Sequence, residues 1–171
     1  QTWGHTLDKV LEIRPDRLAI FSFAFMPHLR PHQKRLDASA MLTGRDKLNL
    51  LLQARDRLLE AGYVQIGFDH FAVPEDPLAK AVKEGTLWRN FQGYTTKAAP
   101  DCVAFGVTGI SDIAGVYAQT TRPLTRYRDS LAKGELPIER GIRLTPEDVE
   151  RRALITTLMC NLRVDLGADA A

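Results

Sequence analysis

Apolar positions change period several times along the chain, and each change marks an element. Leu7, Val10 and Leu11 recur at helical spacing until Pro15, which predicts a helix over residues 7–13. Residues 17–25 are short and rich in Ile, Leu and Phe, the pattern of a buried strand. Pro27 and Pro31 then break the chain into a loop, and residues 39–44 are small and turn-like. Thr43 and Asp46 read as a capping box with Asp in the place of Glu. Behind it, Leu48, Leu51, Leu52, Leu58 and Leu59 form one stripe over residues 45–61, and Gly62 stands where a C-terminal cap belongs. Residues 63–69 alternate, with Val64, Ile66 and Phe68 on one face, so a strand closing at Asp69 is expected. Strand, helix and strand in this order predict a right-handed βαβ unit with parallel strands.

The second half is less regular. Residues 76–84 predict a short helix ended by Gly85, and residues 86–100 are polar, aromatic and irregular. Residues 103–107 read as another strand, followed by a loop that holds Gly106, Gly109 and Gly115. Residues 123–133 predict a helix ended by Gly134, and residues 135–141 a linker. Thr145-Pro146-Glu147-Asp148 is a strong helix start: a cap, Pro at the first position, then two acids near the positive end of the dipole. Val149, Ile155, Leu158, Met159 and Leu162 supply that helix with an apolar face. The whole reads as α/β, without internal repeat or low-complexity segment.

Composition narrows the classes. With 171 residues, 44% of them hydrophobic, the chain can bury the core of one domain, or one and a fraction. A net charge of +2, from 23 basic and 21 acidic residues, lacks the excess and the basic run of a dedicated nucleic-acid binder. No run approaches the roughly 18 apolar residues of a membrane span. Two cysteines, Cys102 and Cys160, make neither a disulfide scaffold nor a Cys-rich metal site, and a reducing, cytoplasmic compartment is expected. The chain opens Gln1-Thr2-Trp3 without Met and ends in the small-residue tail Gly167-Ala168-Asp169-Ala170-Ala171, so both ends read as cuts in a longer protein.

Three places could carry chemistry. Asp69-His70-Phe71 falls at the predicted end of a strand, where α/β folds bind ligands; the competing reading is that Asp69 only holds His70. A lone His is a weak metal signal, and Asp37, Asp69 and Asp112 form no recognisable carboxylate pair. Arg89-Asn90-Phe91-Gln92-Gly93-Tyr94-Thr95-Thr96 mixes amides, hydroxyls, two aromatics and one Arg. Such a loop suits a flat or heterocyclic ligand that needs stacking and a few orienting hydrogen bonds, and it equally suits a self-packed Ω-type loop. Gly106-Val107-Thr108-Gly109-Ile110-Ser111 follows a predicted strand but matches no phosphate loop; it permits close backbone approach to a ligand, or a tight turn. On these residues alone the chain is part of an α/β ligand-binding protein.

The string from Gly62 to Ala72, and then Trp88-Arg89-Asn90-Phe91-Gln92-Gly93-Tyr94-Thr95-Thr96, strongly resemble oxygen-independent coproporphyrinogen III oxidase, also called coproporphyrinogen III dehydrogenase, of the radical S-adenosylmethionine family. Pro15-Asp16-Arg17, Gly106-Val107-Thr108-Gly109-Ile110-Ser111, Arg140-Gly141 and Leu158-Met159-Cys160-Asn161-Leu162 match in the same order. The resemblance covers essentially the whole chain, and its most specific part is the loop of residues 89–96. It implies oxidative decarboxylation of two propionates of coproporphyrinogen III to vinyl groups, giving protoporphyrinogen IX. A 4Fe–4S cluster and S-adenosylmethionine would supply a 5′-deoxyadenosyl radical for it.

The family's Cys-x-x-x-Cys-x-x-Cys motif is absent from these residues, as are its Gly-rich and acidic cofactor segments, so they are expected upstream of Gln1. The implied fold is the C-terminal part of a partial TIM-like radical-SAM barrel with its sheet extension over residues 1–135. The start of a small, mainly helical C-terminal domain would follow over residues 136–171. By resemblance, Ala24 and Ile110 contact S-adenosylmethionine, and Phe91 and Gln92 form the loop beside a second cofactor molecule; Arg89 and Tyr94 flank it and are read from their chemistry as substrate-binding, Arg89 pairing with a carboxylate of substrate or cofactor. Phe23 and Phe25 stand where the family often has Tyr and His, and Gly109 where it often has Ala. No metal ligand is expected within the chain, and no residue is singled out as catalytic. The parent is expected to be a soluble monomer acting on coproporphyrinogen III, with its electron donor and acceptor not named by any residue here, and without nucleic-acid or membrane partners. The alternative is a truncated relative that holds tetrapyrrole or haem without radical chemistry; a cluster motif encoded upstream of Gln1 would decide for the enzyme.

Overall fold

Thr43 and Asp46 make the expected capping box: the Asp46 N–H donates to Thr43 Oγ1 at 3.2 Å, and the Thr43 N–H donates back to Asp46 Oδ2 at 3.3 Å. The helix they start, Gly44–Glu60, is α2 of a computed structural model that describes residues 2–165. Gln1, Leu166 and the tail of residues 167–171 lie outside the described residues. At the other end of α2, Gly62 takes φ +89°, and the Gly62 and Tyr63 N–H groups return to the Leu59 and Leu58 carbonyls, each at 3.0 Å. That is a Schellman motif, and its apolar pair is Leu58 and Tyr63. Together with Phe71 they form the buried centre of the first unit, Gln1–Glu84, with Leu11, Leu18, Ile20 and Val73 packed around them.

The other elements of this unit are α1 (Thr2–Ile13), β1 (Arg17–Ala19), β2 (Val64–Ile66), β3 (His70–Ala72) and α3 (Pro77–Glu84). The single strand expected over residues 63–69 is instead a hairpin. Gly67, at φ +59°, turns the chain, so Asp69 lies in the turn and His70 opens β3. β3 returns between β1 and β2 and pairs antiparallel with both, in the order β1-β3-β2. β1 and β2 therefore run the same way, as the βαβ reading requires, but they are not neighbours. The expected buried strand of residues 17–25 stops at Ala19, because its partner is only three residues long; the last link is Ile20 N–H to the Asp69 carbonyl, 2.8 Å. Phe21 and Phe23 beyond it are 79% and 54% exposed.

The second unit, Gly85–Ala171, holds a hairpin of β4 (Trp88–Asn90) and β5 (Gly93–Thr95). It also holds a sheet of β6 (Ile110–Ile113), β7 (Val116–Thr120) and β8 (Ile138–Arg143), and the helices α4 (Leu124–Ala132) and α5 (Pro146–Asn161). All sheet pairings are antiparallel. Residues 135–141 are not a linker: most of them enter β8, whose Gly141 lies opposite Ala118 and whose Ile142 lies opposite Tyr117. A side chain at Gly141 would stand 2.8 Å from the Tyr117 carbonyl oxygen, so glycine lets β8 close on β7. Residues 103–107 form no strand; only Cys102 bridges, to Asp112, through two hydrogen bonds of 2.7 and 2.9 Å.

Thr145 and Asp148 start α5 with a second capping box. The face that α5 buries differs from the one expected. Cys160 is buried and Arg152, Thr156 and Met159 are half-buried, whereas Val149, Ile155, Leu158 and Leu162 are exposed. Arg152 reaches inward to Asp112, which turns its side of the helix to the sheet. Each unit carries one of the two tryptophans. Trp3 donates its Nε1–H to the Leu50 carbonyl at 3.1 Å, and Trp88 opens β4, 39% exposed. No helix among the described residues is long and apolar enough to cross a membrane. The fold is mixed α/β, with small sheets and five α-helices among the described residues, and the described strands close no barrel.

Candidate functional site

The β4–β5 hairpin builds the site. Asn90 Oδ1 accepts the Gln92 N–H at 2.8 Å, and Gly93, opposite Asn90, takes φ +134°. This Asx turn leaves only Phe91 and Gln92 at the tip and projects Phe91 outward, 55% exposed. The Phe91 ring meets Tyr117 of β7 edge to face, with centroids 5.0 Å apart and planes at 85°. Between hairpin and sheet lies a cleft of about 260 Å³, walled by Phe91, Ile110, Tyr117, Gln119, Arg140, Gly141 and Ile142.

Two arginines brace this cleft and a third stands behind the hairpin. Arg140 donates Nε–H to Gln119 Oε1 at 2.7 Å, and Gln119 Nε2 donates to the Thr108 carbonyl at 3.2 Å. Arg152 reaches Asp112 at 3.1 and 3.3 Å and the Tyr117 hydroxyl at 3.4 Å, its guanidinium 6.0 Å from the Tyr117 ring centroid. The Tyr117 hydroxyl, with Asp112, outweighs burial and holds Arg152 above its ordinary pKa, firmly charged. Arg89 lies over the Tyr94 ring at 4.9 Å, and its Nη1 is buried without a hydrogen-bond partner. The Tyr94 hydroxyl donates to the Met159 carbonyl at 3.1 Å, which ties the hairpin to α5. Burial pushes the Cys160 thiol up, against the opposing pull of the Arg89 charge.

The structure brings together two of the residues expected at a cofactor, Phe91 and Ile110, in one cleft. Gln92 occupies the exposed hairpin tip and does not line the cleft, and Arg89 and Tyr94 stand behind it toward α5. Ala24 belongs to the first unit, where buried Gln33 clamps its segment: Gln33 Nε2 donates to the Ala24 carbonyl at 3.1 Å, and Oε1 accepts the Met26 N–H at 2.5 Å. Phe23, one residue earlier, faces a separate apolar cleft of about 320 Å³ between α2 and residues 20–23. His70 Nδ1 and Asp69 Oδ1 form a 2.7 Å pair, so Asp69 holds His70.

The glycine loop is a tight turn: Thr120 Oγ1 donates to the Gly106 carbonyl at 2.6 Å, and the Gly106 N–H donates to the Tyr127 hydroxyl at 3.1 Å. Five cleft residues, Tyr117, Gln119, Arg140, Gly141 and Ile142, are not among the sequence-predicted site residues. Tyr117 and Gln119 alternate on one face of a strand, and that period was the available signal. Among the described residues no group of three His, Cys, Asp or Glu side chains could hold a metal ion. Two thiols in the whole chain do not supply the three that a radical-SAM cluster takes, so such a cluster does not fit these residues.

The class of the fold is mixed α/β, and it is shared with a solved radical SAM enzyme. The structure it resembles is that of coproporphyrinogen III oxidase from Escherichia coli, described as a radical SAM enzyme. The TM-score is 0.88 at 40% identity, over 95% of this chain and 38% of that one. Among curated relatives, the oxygen-independent coproporphyrinogen III oxidase of Thermostichus vulcanus is 44% identical over 99% of this chain and 53% of its own length. That of Synechocystis is 43% identical over 95% of this chain and 35% of its own. The Pseudomonas aeruginosa protein of the same name is 40% identical, again over 95% and 35%. No protein-family model matches the chain. The chain is thus homologous, over nearly its whole length, to a portion of the oxygen-independent coproporphyrinogen III oxidases, and it spans about a third to a half of the length of these relatives.

Proposed function

We propose that this chain is the C-terminal portion of an oxygen-independent coproporphyrinogen III oxidase of haem biosynthesis, acting in the cytoplasm on coproporphyrinogen III. In that reading the expected break at residue 135 moves past β8, which is paired with β7 in one sheet, and the helical domain begins with α5. The observation that carries it is the convergence of Phe91 and Ile110, both assigned to the cofactor by resemblance, on one cleft beneath the specific loop. The cleft fits one face of S-adenosylmethionine: Phe91 and Ile110 offer apolar contact to a heterocycle. When bound, that cofactor supplies the hydrogen-abstracting radical of the reaction.

The chain's own residues orient the loop. Tyr117, itself held by Arg152, packs on the edge of the Phe91 ring, and Tyr94 anchors the hairpin on α5. Arg89 retains a buried donor, Nη1, that no described group accepts, which supports a carboxylate partner for it behind the hairpin, outside the cleft, with Tyr94 beside it. The cluster ligands belong to the rest of the parent protein, and this segment alone is inactive.

The test is made in the full-length parent. Phe91→Ala with Gln92→Ala is expected to lower turnover on the order of a hundredfold, by misplacing reacting groups, while iron and sulfide content stay unchanged. Normal turnover in the double variant would reduce the loop to a structural turn.

A further inference from the structure

We propose that Arg140 is the anion-receiving group of the cleft: it takes a carboxylate of a ligand whose flat or apolar body lies against Phe91, Tyr117 and Ile142. The inference rests on the reading of the cleft as a ligand site and names a specificity residue within it. Arg140 spends one donor, Nε, on Gln119 Oε1 at 2.7 Å, and none of the described carboxylates pairs with it. Both terminal nitrogens stay available for a carboxylate.

Its aim is fixed from two sides. Gln119 Nε2 is engaged by the Thr108 carbonyl, so the amide oxygen must face Arg140. Thr108 itself takes φ +62°, a conformation a β-branched residue adopts only under constraint. Gly141, beside Arg140, holds β8 against the Tyr117 backbone, so the arginine cannot retreat with its strand. The other two arginines do not compete for a ligand here. Arg152 is engaged by Asp112, and Arg89 does not line the cleft.

One cation in a wall that is apolar and aromatic apart from the Gln119 amide, which is spent on Arg140 and Thr108, selects a ligand with an apolar body and a carboxylate. Two molecules of the proposed reaction have that chemistry: the propionates of the tetrapyrrole and the methionyl carboxylate of S-adenosylmethionine. Calorimetric titration of the 171-residue chain separates them. The probes are coproporphyrin III and its uncharged tetraamide, and S-adenosylmethionine and methylthioadenosine, which lacks the carboxylate. Arg140→Ala is expected to weaken one of the two acids about tenfold and leave its uncharged counterpart unchanged. Arg140→Lys should restore part of the loss, and circular dichroism should show both variants folded.

Loss with coproporphyrin III assigns the propionate; loss with S-adenosylmethionine assigns the methionyl group. Unchanged affinity for both acids, or equal loss of acid and uncharged counterpart, would overturn the proposal. If Phe91→Ala weakens the probes while Arg140→Ala changes none, Arg140 is wrong and the cleft stands. If the chain binds none of the probes, or neither substitution matters, both readings fall.

Discussion

Gly141 has no room for a side chain, while Gly109 has a little. A Cβ at Gly141 meets the Tyr117 carbonyl oxygen at 2.8 Å, a backbone atom fixed by the β7–β8 ladder. A Cβ at Gly109 meets first the Ala104 methyl at 3.1 Å, in a loop that can give. Gly141→Ala should therefore cost about 1–3 kcal/mol, and Gly109→Ala, the residue often found there in the family, under about 1 kcal/mol. Urea titration of both variants checks the order, and equal costs would contradict it.

Asp76 carries a pH signature from a half-buried ion pair. It caps α3 through the Leu78 N–H and meets Arg17 Nε, each at 2.7 Å. Burial alone would raise its carboxyl pKa. The Arg17 and Leu78 hydrogen bonds, with the charges of Arg17 and Lys80, outweigh it and hold the group below the ordinary value. A depressed folded pKa contributes stability that is whole above the unfolded value, about 3.9, and is lost as pH falls through the folded one. Asp76→Ala should cost about 1–2 kcal/mol at neutral pH and flatten the acid limb of the stability curve. Parallel acid limbs in urea titrations at pH 7 and pH 3 would refute it.

At the scale of elements, local chemistry was legible and non-local pairing was not. Both capping boxes and the Gly62 cap are decided within a few residues and lie where the pattern put them, whereas of the leucine stripe of α2 only Leu58 is buried, Leu51 is half-buried, and Leu48, Leu52 and Leu59 are exposed. The β2–β3 hairpin was hidden because one glycine, Gly67, splits an alternation that otherwise runs through. β8 was hidden because it is exposed throughout and carries no apolar period; it exists by pairing with β7. The site divides the same way. Phe91 announced itself by composition, but Arg140 enters the cleft only through the register that sets Gly141 opposite Ala118.

Two outcomes follow for elements. Thr43→Ala should remove about 1 kcal/mol by uncapping α2, read as a lower urea midpoint with unchanged slope. In hydrogen exchange, amides of residues 21–23, beyond the β1–β3 ladder, should exchange faster than those in the middle of α2. Protection of residues 21–23 equal to α2 would mean that another chain covers that edge.

For the molecule as a whole, the chemistry assigned to the relatives and the residues present here part company at the metal. The chain holds Cys102 and Cys160 and no third thiol. Anaerobic reconstitution with iron and sulfide should leave well under one cluster per chain, because a cluster of this type takes three closely spaced thiolates. Stoichiometric, stable cluster on the 171 residues would refute the assignment of its ligands to another part of the parent.

The tryptophans fall one to each unit, and that makes the protein its own pair of optical reporters. Trp3, with its indole N–H tied to Leu50, answers to the first unit, and half-open Trp88, at the root of the Phe91 hairpin, answers to the second. Trp3→Phe thus yields a chain whose emission follows the hairpin alone, and Trp88→Phe one whose emission is blind to it. Unfolding of either half, or arrival of a quenching tetrapyrrole, can then be followed by colour without any added label.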